Sequence, residues 1–212
     1  MLNPPIPYEH PRFYFRDGNV IFKVEDTLYR VHRYFFDRDS VIFSSMFTLP
    51  PGAGQRPEGE TPESPILLEG VKKLDFDRFL TILYPSNFLT RDTHSAIEWT
   101  SVLSLATRWD FVSLRTLAIT KLAALTSSIS PAERIAIARA YDIQEWLAPA
   151  FFTLCTRAEA LTLAEGRCLG LDDSIRVGQV RQAIRYASNL NRHPDSIADF
   201  VQEMFALPVN TT

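Results

Sequence analysis

The pattern of hydrophobic and polar positions is most regular at the start of the stretch 18–47, where it alternates along the chain. Apolar side chains alternate over 20–24, and an apolar, β-branched and aromatic run resumes over 28–31. Residues 25–26, both acidic, supply a two-residue break between the two runs. Alternation on both sides of a short polar break is typical of a β-hairpin, so the sequence predicts two paired strands here.

The spacing of apolar residues becomes helical directly after this hairpin. Phe35 and Phe36 precede Ser40, and the apolar residues that follow are separated by gaps of two, three and one. This spacing predicts a short buried helix with Asp39 or Ser40 as its N-cap, because both side chains accept hydrogen bonds from free amides at a helix start. The apolar residues of the predicted helix are Val41, Phe43, Met46 and Phe47.

Prolines and glycines interrupt the pattern in two places. Four prolines fall within residues 1–12, which predicts an extended arm, and a short strand is predicted over 13–15. Five of the fourteen prolines and three of the eight glycines fall within 50–65, which predicts a mobile surface loop. A phosphate-binding loop is not indicated, because Pro57 stands where a dinucleotide-binding fingerprint needs its third glycine.

The rest of the chain is predicted to be helical, apart from a brief buried strand over 66–68. Apolar residues over 76–83 share one helix face, and a proline follows this helix. Ser130, Pro131 and Glu133 form the clearest helix start, with a hydroxyl cap, a proline at the first position and a glutamate three residues after the cap. Further helices are predicted from Thr93 or Ser95 to 109 and over 111–125, 146–156, 163–169 and 172–189, and a terminal helix is predicted with Asp195 as its cap.

Composition and charge exclude several classes of function. The 212 residues are 46% hydrophobic and carry a formal net charge of -3, with a pI of about 5.8. This charge argues against a general nucleic-acid or acidic-membrane surface, because phosphate binding needs a clustered positive field. No apolar run approaches membrane-spanning length, and the proline-rich start resembles neither a signal peptide nor an anchor, so a soluble protein is expected.

The cysteines and histidines indicate neither a disulfide scaffold nor a metal site. Cys155 and Cys168 are too few for a disulfide framework in a chain of this length, and their helix-like surroundings predict reduced thiols in a cytoplasmic or nuclear protein. The four histidines, at positions 10, 32, 94 and 193, do not match the spacing of a zinc site. We therefore expect no metal ion and no cofactor.

His32 has two interpretations. It is a candidate general base, but the sequence offers no nucleophile elbow, paired carboxylates or cofactor loop to accompany it. The alternative is a structural histidine that follows a buried strand and forms hydrogen bonds inside the fold. We prefer the structural interpretation and expect no catalytic residue, with a small hydrolase or transferase that uses His32 as the competing hypothesis.

Two C-terminal features also have alternative interpretations. The last helices have a basic side, which either binds phosphate or an acidic partner or is a solvated helix face, and the second is preferred. The apolar stripe over 197–205 either binds a groove on another protein or packs on its own domain, and again the second is preferred. The basic residues are Arg176, Arg181, Arg185 and Arg192.

Motifs spread over 13–125 resemble the BTB/POZ domain. In that family the second strand ends in His-Arg or His-Lys, an apolar helix follows, and Ser-x-x-Phe-x-x-Met/Leu-Phe comes next. The segment 46–50 and the acidic loop beyond it further resemble the BTB-domain proteins of mushroom-forming fungi. The residues at the family's motif positions are Asn19, Val20, His32, Arg33, Ser40, Phe43, Met46 and Phe47.

The resemblance implies an α+β fold, with a small three-stranded sheet flanked by helices over 13–125 and an all-helical extension over 126–212. It also implies protein association, because BTB domains form homodimers or hetero-oligomers and many bind a cullin scaffold as substrate adaptors of ubiquitin ligases. Asn19 stands where many members have an aspartate that helps to shape the dimer. The segment 48–56 lacks the glutamate that many cullin-binding members carry.

The function expected from the sequence is therefore a non-enzymatic protein-interaction module, whose partner is a second copy or another protein. A transcriptional co-regulator would also fit a BTB domain, but no zinc-finger pair or basic zipper accompanies it, so no direct contact with nucleic acid is expected. The apolar residues expected to form the interaction surface are Phe13, Phe15, Phe35, Phe47, Leu49 and Tyr84.

Overall fold

The computed structural model describes residues 7–50, 57–86, 95–125, 128–188 and 190–207. The chain divides into two units, residues 1–124 and residues 125–212. Sheet and helices combine in the first unit, whereas the described part of the second is helical. In the described ranges, no helix is both long and apolar enough to cross a membrane.

One mixed sheet forms the centre of the first unit. Its strands are β1 (Tyr8–Tyr14), β2 (Val20–Val24), β3 (Thr27–Val31) and β4 (Ile66–Leu67), in the spatial order β1-β3-β2-β4. β2 and β3 pair antiparallel across the turn at 25–26, which confirms the predicted hairpin. β1 runs parallel to β3, and β4 runs parallel to β2. The described sheet therefore has four strands, and the expectation of three was wrong.

The strand beyond the expected three is β1, which is formed by much of the segment predicted as an extended arm. Residues 8–12 are strand residues, whereas residues 1–6 lie outside the described part. Pro11 is compatible with this strand because β1 is at the edge of the sheet, where a missing amide donor costs no ladder hydrogen bond. The pairing with β3 shifts register between Glu9 and Tyr14. The prolines of 1–12 correctly predicted an extended backbone for residues 8–12, but they did not predict that these residues join the sheet.

The predicted loop over 50–65 is structured in its described second half. The backbone N–H of Ile21 donates to the carbonyl oxygen of Gly59 at 2.7 Å, and the N–H of Gly59 donates to the carbonyl oxygen of Ser64 at 2.7 Å. Gly59 is buried with a φ of 86°, and a Cβ there would lie 2.8 Å from Cδ1 of Ile66. The segment 57–65 is therefore held to β2 and to itself by backbone hydrogen bonds, while 51–56 lie outside the described residues.

Five helices complete the described part of the first unit: α1 (Arg33–Asp39), α2 (Val41–Thr48), α3 (Lys73–Leu83), α4 (Ala96–Arg108) and α5 (Val112–Ala124). α3 buries Phe76, Phe79 and Leu80 and ends before Tyr84, as predicted. α4 begins with a capping box in which Ser95 and Glu98 satisfy each other's backbone amides. Ile97, in the first turn of α4, is 70% exposed.

α2 begins where the sequence predicted, but it is not a buried helix. The Ser40 hydroxyl accepts a hydrogen bond from the Phe43 backbone N–H at 3.1 Å, so Ser40 is the N-cap. Phe43 is 2% exposed, whereas Val41 is 66% and Ile42 48% exposed. A two-turn helix against one core has a single inner face, and the remaining apolar residues of α2 lie in contact with solvent.

Aromatic rings dominate the core of the first unit. Phe36 and Phe43 meet edge to face with ring centroids 5.1 Å apart, and Phe79 meets Phe111 in the same way at 5.0 Å. Edge-to-face pairs are favoured because the positive ring edge faces the negative ring surface. The core therefore joins α1, α2, α3 and the turn after α4. Its large rings are Phe22, Tyr29, Phe36, Phe43, Phe76, Phe79, Trp109 and Phe111.

The second unit contains helices α6 (Pro131–Ala140), α7 (Leu147–Thr156), α8 (Leu163–Leu169), α9 (Leu171–Tyr186) and α10 (Pro194–Met204), with a 3-10 turn at Gln144–Trp146. The predicted cap of α6 is confirmed, because Ser130 and Glu133 form a capping box. α10 begins one residue before Asp195, which lies in the first turn and is not the N-cap.

The stripe of α10 packs on its own unit. Ile197, Val201 and Phe205 are buried, and the Phe205 ring stacks on Phe151 of α7 with centroids 3.9 Å apart. The preferred interpretation of 197–205 is therefore confirmed. The hypothesis of a free helix for another protein's groove was wrong for these three residues.

Candidate protein-interaction surface

Tyr84, at the end of α3, collects several of the predicted surface aromatics around its ring. Phe15 lies 4.8 Å and Phe35 5.4 Å from Tyr84, measured between ring centroids. These three side chains are half-buried, because each covers part of its neighbours. Phe13 is also near, at 6.3 Å, but it is only 2% exposed because its ring stacks on the buried His10. The prediction of Phe13 as a surface residue was therefore wrong.

The backbone N–H and both ring nitrogens of His32 have hydrogen-bond partners. Its backbone N–H donates to the Tyr84 hydroxyl oxygen at 2.9 Å, and the same hydroxyl lies 3.1 Å from Nδ1. Nε2 lies 3.2 Å from Oδ2 of Asp17. These partners assign the tautomer: the Tyr84 O–H donates to Nδ1, and Nε2–H donates to Asp17. Burial raises the pKa of the Tyr84 phenol, which makes this hydroxyl harder to deprotonate, so the contact does not support the hydrolase hypothesis.

The pKa values around His32 follow from the same contacts. The hydrogen bond from His32 lowers the pKa of the exposed Asp17 carboxyl below its ordinary value. Burial raises the pKa of the Tyr84 phenol, which stays a neutral donor. Asp17, His32 and Tyr84 therefore connect the end of β1, the end of β3 and the end of α3.

Asn19 and Arg33 fix the start of α1. The Oδ1 of Asn19 accepts the backbone N–H of Arg33 at 2.8 Å, and this supplies an acceptor that the N-cap residue His32 does not provide. The Arg33 guanidinium lies 4.3 Å above the Phe47 ring and donates to the Phe47 carbonyl oxygen at 3.3 Å. A neutral amide at 19 is therefore sufficient to anchor α1, and Arg33 joins α1 to the end of α2.

Ser40 joins α2 to the end of α4. Its side chain is buried and donates to the Trp109 carbonyl oxygen at 2.5 Å while accepting from Phe43. Trp109 is the C-cap of α4, so this hydrogen bond satisfies one of the carbonyls that a helix end leaves free. Val20, the other motif position on β2, is 2% exposed and belongs to the core.

We use the name α1–α2 face for the most exposed apolar residues of the stretch 34–49, which contains α1 and α2. Leu49, which the sequence predicted as a surface residue, is 71% exposed, and Tyr34 is 63% exposed. Phe47 and Met46 are half-buried on the same helix. The members of the α1–α2 face are Tyr34, Val41, Ile42 and Leu49.

The sequence analysis missed Tyr34, Val41 and Ile42 as surface residues. The sequence does contain a pattern that indicates their exposure, because 41–47 is apolar on more than one side of a helix only two turns long. One face of such a helix suffices for the core, so exposed apolar residues were to be expected on the other.

Charged residues border the α1–α2 face. The Arg38 guanidinium lies 5.1 Å from the centre of the Tyr34 ring and pairs with Asp39. Arg33 lies 3.7 Å from Asp37, measured from Nε to Oδ2. Such exposed pairs add little to stability but restrict which surfaces can approach.

The basic residues of the C-terminal helices mostly cap helix ends. Arg181 is buried and donates to the carbonyl oxygens of Leu154, at 2.6 Å, and Ala158, at 3.2 Å. Burial lowers the pKa of its guanidinium. Arg192 donates to carbonyl oxygens at the end of α9, including that of Ala187 at 3.0 Å. A solvated face was therefore the wrong interpretation for Arg181, because its charge stabilises the negative end of α7.

The cysteines are free thiols in different settings. Cys155 is buried in α7, and burial raises its pKa to about 12, whereas Cys168 is exposed in α8. Across the part of the chain that the structure describes, no group of three or more His, Cys, Asp and Glu side chains is arranged to hold a metal ion. His94 lies outside that part.

Comparison with known proteins identifies the first unit. A family model of the BTB/POZ domain matches residues 15–124, which is more than half of the 212-residue chain. No curated protein matches the sequence. The matched range contains the hairpin, the Ser40 cap and the α3 stripe on which the resemblance was based. BTB domains generally mediate protein–protein interaction. The chain therefore belongs to the BTB/POZ domain family.

Proposed function

We propose that this chain is a non-enzymatic protein-interaction module that self-associates through the α1–α2 face of its BTB domain. The observation behind this proposal is the exposure of Tyr34, Val41, Ile42 and Leu49 within one short stretch of a domain whose family binds proteins and often self-associates. Apolar side chains grouped in this way on a folded surface are typical of interaction sites.

The anchors of the two helices support this choice of face. Asn19 holds the start of α1, Ser40 holds the start of α2, and Arg33 joins the two helices. Because these contacts already hold the two helices in position, the backbone loses little further conformational freedom on binding, and this favours affinity. In a two-fold dimer the same face is used by both copies, so each exposed residue contributes twice.

The charged border is also suited to a selective contact. Arg38 pairs with Asp39 beside the Tyr34 ring, and Arg33 pairs with Asp37 on the same helix. Opposite charges on one border allow a second copy, rotated by half a turn, to present complementary charges. A stable interface buries about 1,600 Å² in total, so the contact extends past the apolar centre to this border.

The test replaces one exposed residue by a charge. Ile42→Asp introduces a carboxylate into the α1–α2 face, and Ile97→Asp makes the same change at an exposed position on α4. We expect the wild type and Ile97→Asp to reach dimer mass in sedimentation as concentration rises, while Ile42→Asp stays monomeric. Circular dichroism checks that each variant is folded. A wild type that remains monomeric at high concentration, or an Ile42→Asp variant that dimerises normally, contradicts the proposal.

A second use of the domain, recruitment of a different protein, is the alternative within the same class. A cullin scaffold is one such partner, but the segment 48–56 contains no glutamate, so we prefer self-association. Adding a cullin N-terminal region to the sedimentation experiment distinguishes the two, since co-migration favours an adaptor. We place this activity in the cytoplasm or nucleus and expect relatives among fungal BTB proteins.

A further inference from the structure

His10 is a buried histidine to which the sequence analysis gave no role. It lies in β1 and is 8% exposed. Its ring stacks between Phe13, at 5.0 Å and 24°, and Tyr29, at 4.8 Å and 19°, measured between centroids and between ring planes. The ring is therefore held in one orientation, which fixes where its two nitrogens point.

Nδ1 of His10 accepts two backbone hydrogen bonds. The donors are the N–H groups of Arg12, at 3.1 Å, and Phe13, at 2.9 Å. Both amides lie where the pairing of β1 with β3 shifts register, between Glu9 and Tyr14. The imidazole therefore supplies an acceptor at the irregular part of the strand, and a nitrogen that accepts from two N–H groups carries no proton of its own.

Nε2 of His10 faces a carboxylate on α3. It lies 3.2 Å from Oδ1 of Asp77, and the same oxygen accepts the Tyr29 O–H at 2.6 Å. Since Nδ1 is unprotonated, the proton of the neutral ring is on Nε2, which donates to Asp77. One neutral imidazole thus joins β1, β3 and α3.

The surrounding charges act on His10 in opposite directions. Asp77 on α3 favours protonation, whereas Lys73 on α3 and Arg12 on β1 oppose it. Burial opposes protonation most strongly, and the pKa of His10 lies below its ordinary value. Tyr29 on β3 is a further titratable side chain in contact with the His10 ring, and burial raises the pKa of its phenol, so it stays neutral.

We infer that His10 is a pH-sensitive switch that holds β1 on the sheet when the imidazole is neutral and releases the strand when it is protonated. A proton on Nδ1 would face the two N–H groups of Arg12 and Phe13, which lose their acceptor. β1 is an edge strand held on one side only, so it opens before the hairpin does. Its release removes Phe13 and Phe15 from the Tyr84 ring.

The pH dependence of β1 release follows from the difference between the pKa of His10 in the folded and the unfolded chain. An unfolded histidine titrates near about pH 6.5, and the folded His10 binds its proton less readily. The contribution of His10 to holding β1 is therefore complete above about pH 6.5 and is lost as the pH falls toward the folded pKa. Over that window, the opening constant of β1 rises roughly tenfold for each unit by which the pH falls.

The experiment measures hydrogen exchange of backbone amides in the full chain at about pH 7.5 and about pH 5.5, at a dilution where it is monomeric. Tyr8 and Phe15 report on β1, because their N–H groups donate to Asp26, at 3.0 Å, and Arg30, at 2.8 Å. Amides of β2 and β3 that pair in the hairpin are the internal reference. We expect the protection factors of Tyr8 and Phe15 to fall by roughly threefold or more at the lower pH, while the hairpin reference is unchanged.

The control is His10→Gln, which keeps an acceptor and a donor but does not titrate. We expect its β1 protection to be the same at both pH values. Equal losses in both proteins, or no loss in the wild type, overturn the inference. If the variant does not fold, NMR titration of the wild-type His10 ring decides: a pKa below about 6.5 supports the switch, and one at or above that value overturns it. Neither result depends on whether the protein self-associates.

Discussion

The two units of this chain are stabilised by different kinds of contact. The first is built around aromatic rings from strands and helices that lie far apart in sequence, such as Phe22 and Phe76, whose rings meet edge to face at 6.0 Å. The second packs mainly aliphatic side chains and small alanines, such as Ala132 and Ala138 of α6. Rings from distant segments fit in few ways, whereas small aliphatic helix faces fit in many. The first unit thus has the more distinctive pattern, and it is the one that a family model matches.

Both units contain long-range as well as short-range polar contacts; in the second unit, for example, Arg181 donates to the carbonyl oxygen of Leu154, 27 residues away. In the first unit, Ser40 hydrogen-bonds to Trp109, 69 residues away. In the second, Arg157 binds Glu165, which is only 8 residues away and also takes part in the capping box of α8. Long-range polar contacts fix tertiary structure, whereas short-range ones fix helix ends. The following substitutions test this distinction.

The largest effect is expected from the aromatic core. Phe76→Ala removes a fully buried ring that contacts Tyr29 at 4.8 Å and Trp109 at 5.8 Å. We expect a loss of ~3–5 kcal/mol in the free energy of unfolding, because a cavity remains where the ring was. Chemical denaturation followed by circular dichroism measures it.

The matched control for this change is Leu74→Ala on the same helix, since Leu74 is 58% exposed. We expect a change within about 0.5 kcal/mol. Similar losses for both variants would mean that α3 contributes through its helix propensity and not through the aromatic core.

A smaller loss is expected from the long-range polar contact. Ser40→Ala removes the cap of α2 and leaves the Trp109 carbonyl without its donor. We expect a loss of about 2 kcal/mol, which combines a lost cap with an unsatisfied buried acceptor. The control is Ser45→Ala, at an exposed position of α2. If Ser40→Ala loses no more free energy of unfolding than Ser45→Ala, Ser40 has no long-range role.

The smallest loss is expected from the local contact of the second unit. Two hydrogen bonds from Arg157, with those of the cap, lower the pKa of Glu165 to about 2. Because the folded pKa is lower than the unfolded one, the stabilisation is present above about pH 4.5 and is lost as the pH falls toward about 2.

Glu165→Gln keeps the cap but removes the charge, so we expect a loss of about 1 kcal/mol at neutral pH. The difference from the wild type should decrease on acidification, as followed by denaturation at several pH values. Glu159→Gln removes an exposed carboxylate nearby and is the control. A pH-independent difference would show that the Arg157 contact is not responsible.

Local signals in the sequence were sufficient for much of the fold. The two-residue turn of the hairpin, the Ser40 cap, the α3 stripe and the Ser130–Glu133 capping box each depend on a few neighbouring residues, and each was predicted. For β1, only the end of the strand was predicted, over 13–15, because its pairing depends on β3 and on the contact of His10 with Asp77, and both β3 and Asp77 are distant in sequence from β1.

The candidate surface was only partly predictable for the same reason. Leu49 follows the last turn of α2 and was recognised as exposed, but the exposure of Val41 and Ile42 depends on which side of α2 the core occupies. That side is set by Ser40 and Trp109 together, and no pattern within 40–49 contains it. The burial of Phe13 likewise depends on the fold, because its ring lies near Tyr84, which is distant in sequence, as well as on the ring of His10.

The most direct test of the proposed association is hydroxyl-radical footprinting of the full chain at low and high concentration, which reports the exposure of individual side chains. We predict that labelling of Tyr34, Ile42 and Leu49 decreases as the dimer forms, while labelling of the exposed Leu74 and Ile97 does not change. Unchanged labelling of the α1–α2 face at a concentration where the protein is dimeric, or the absence of any dimer, would contradict the account.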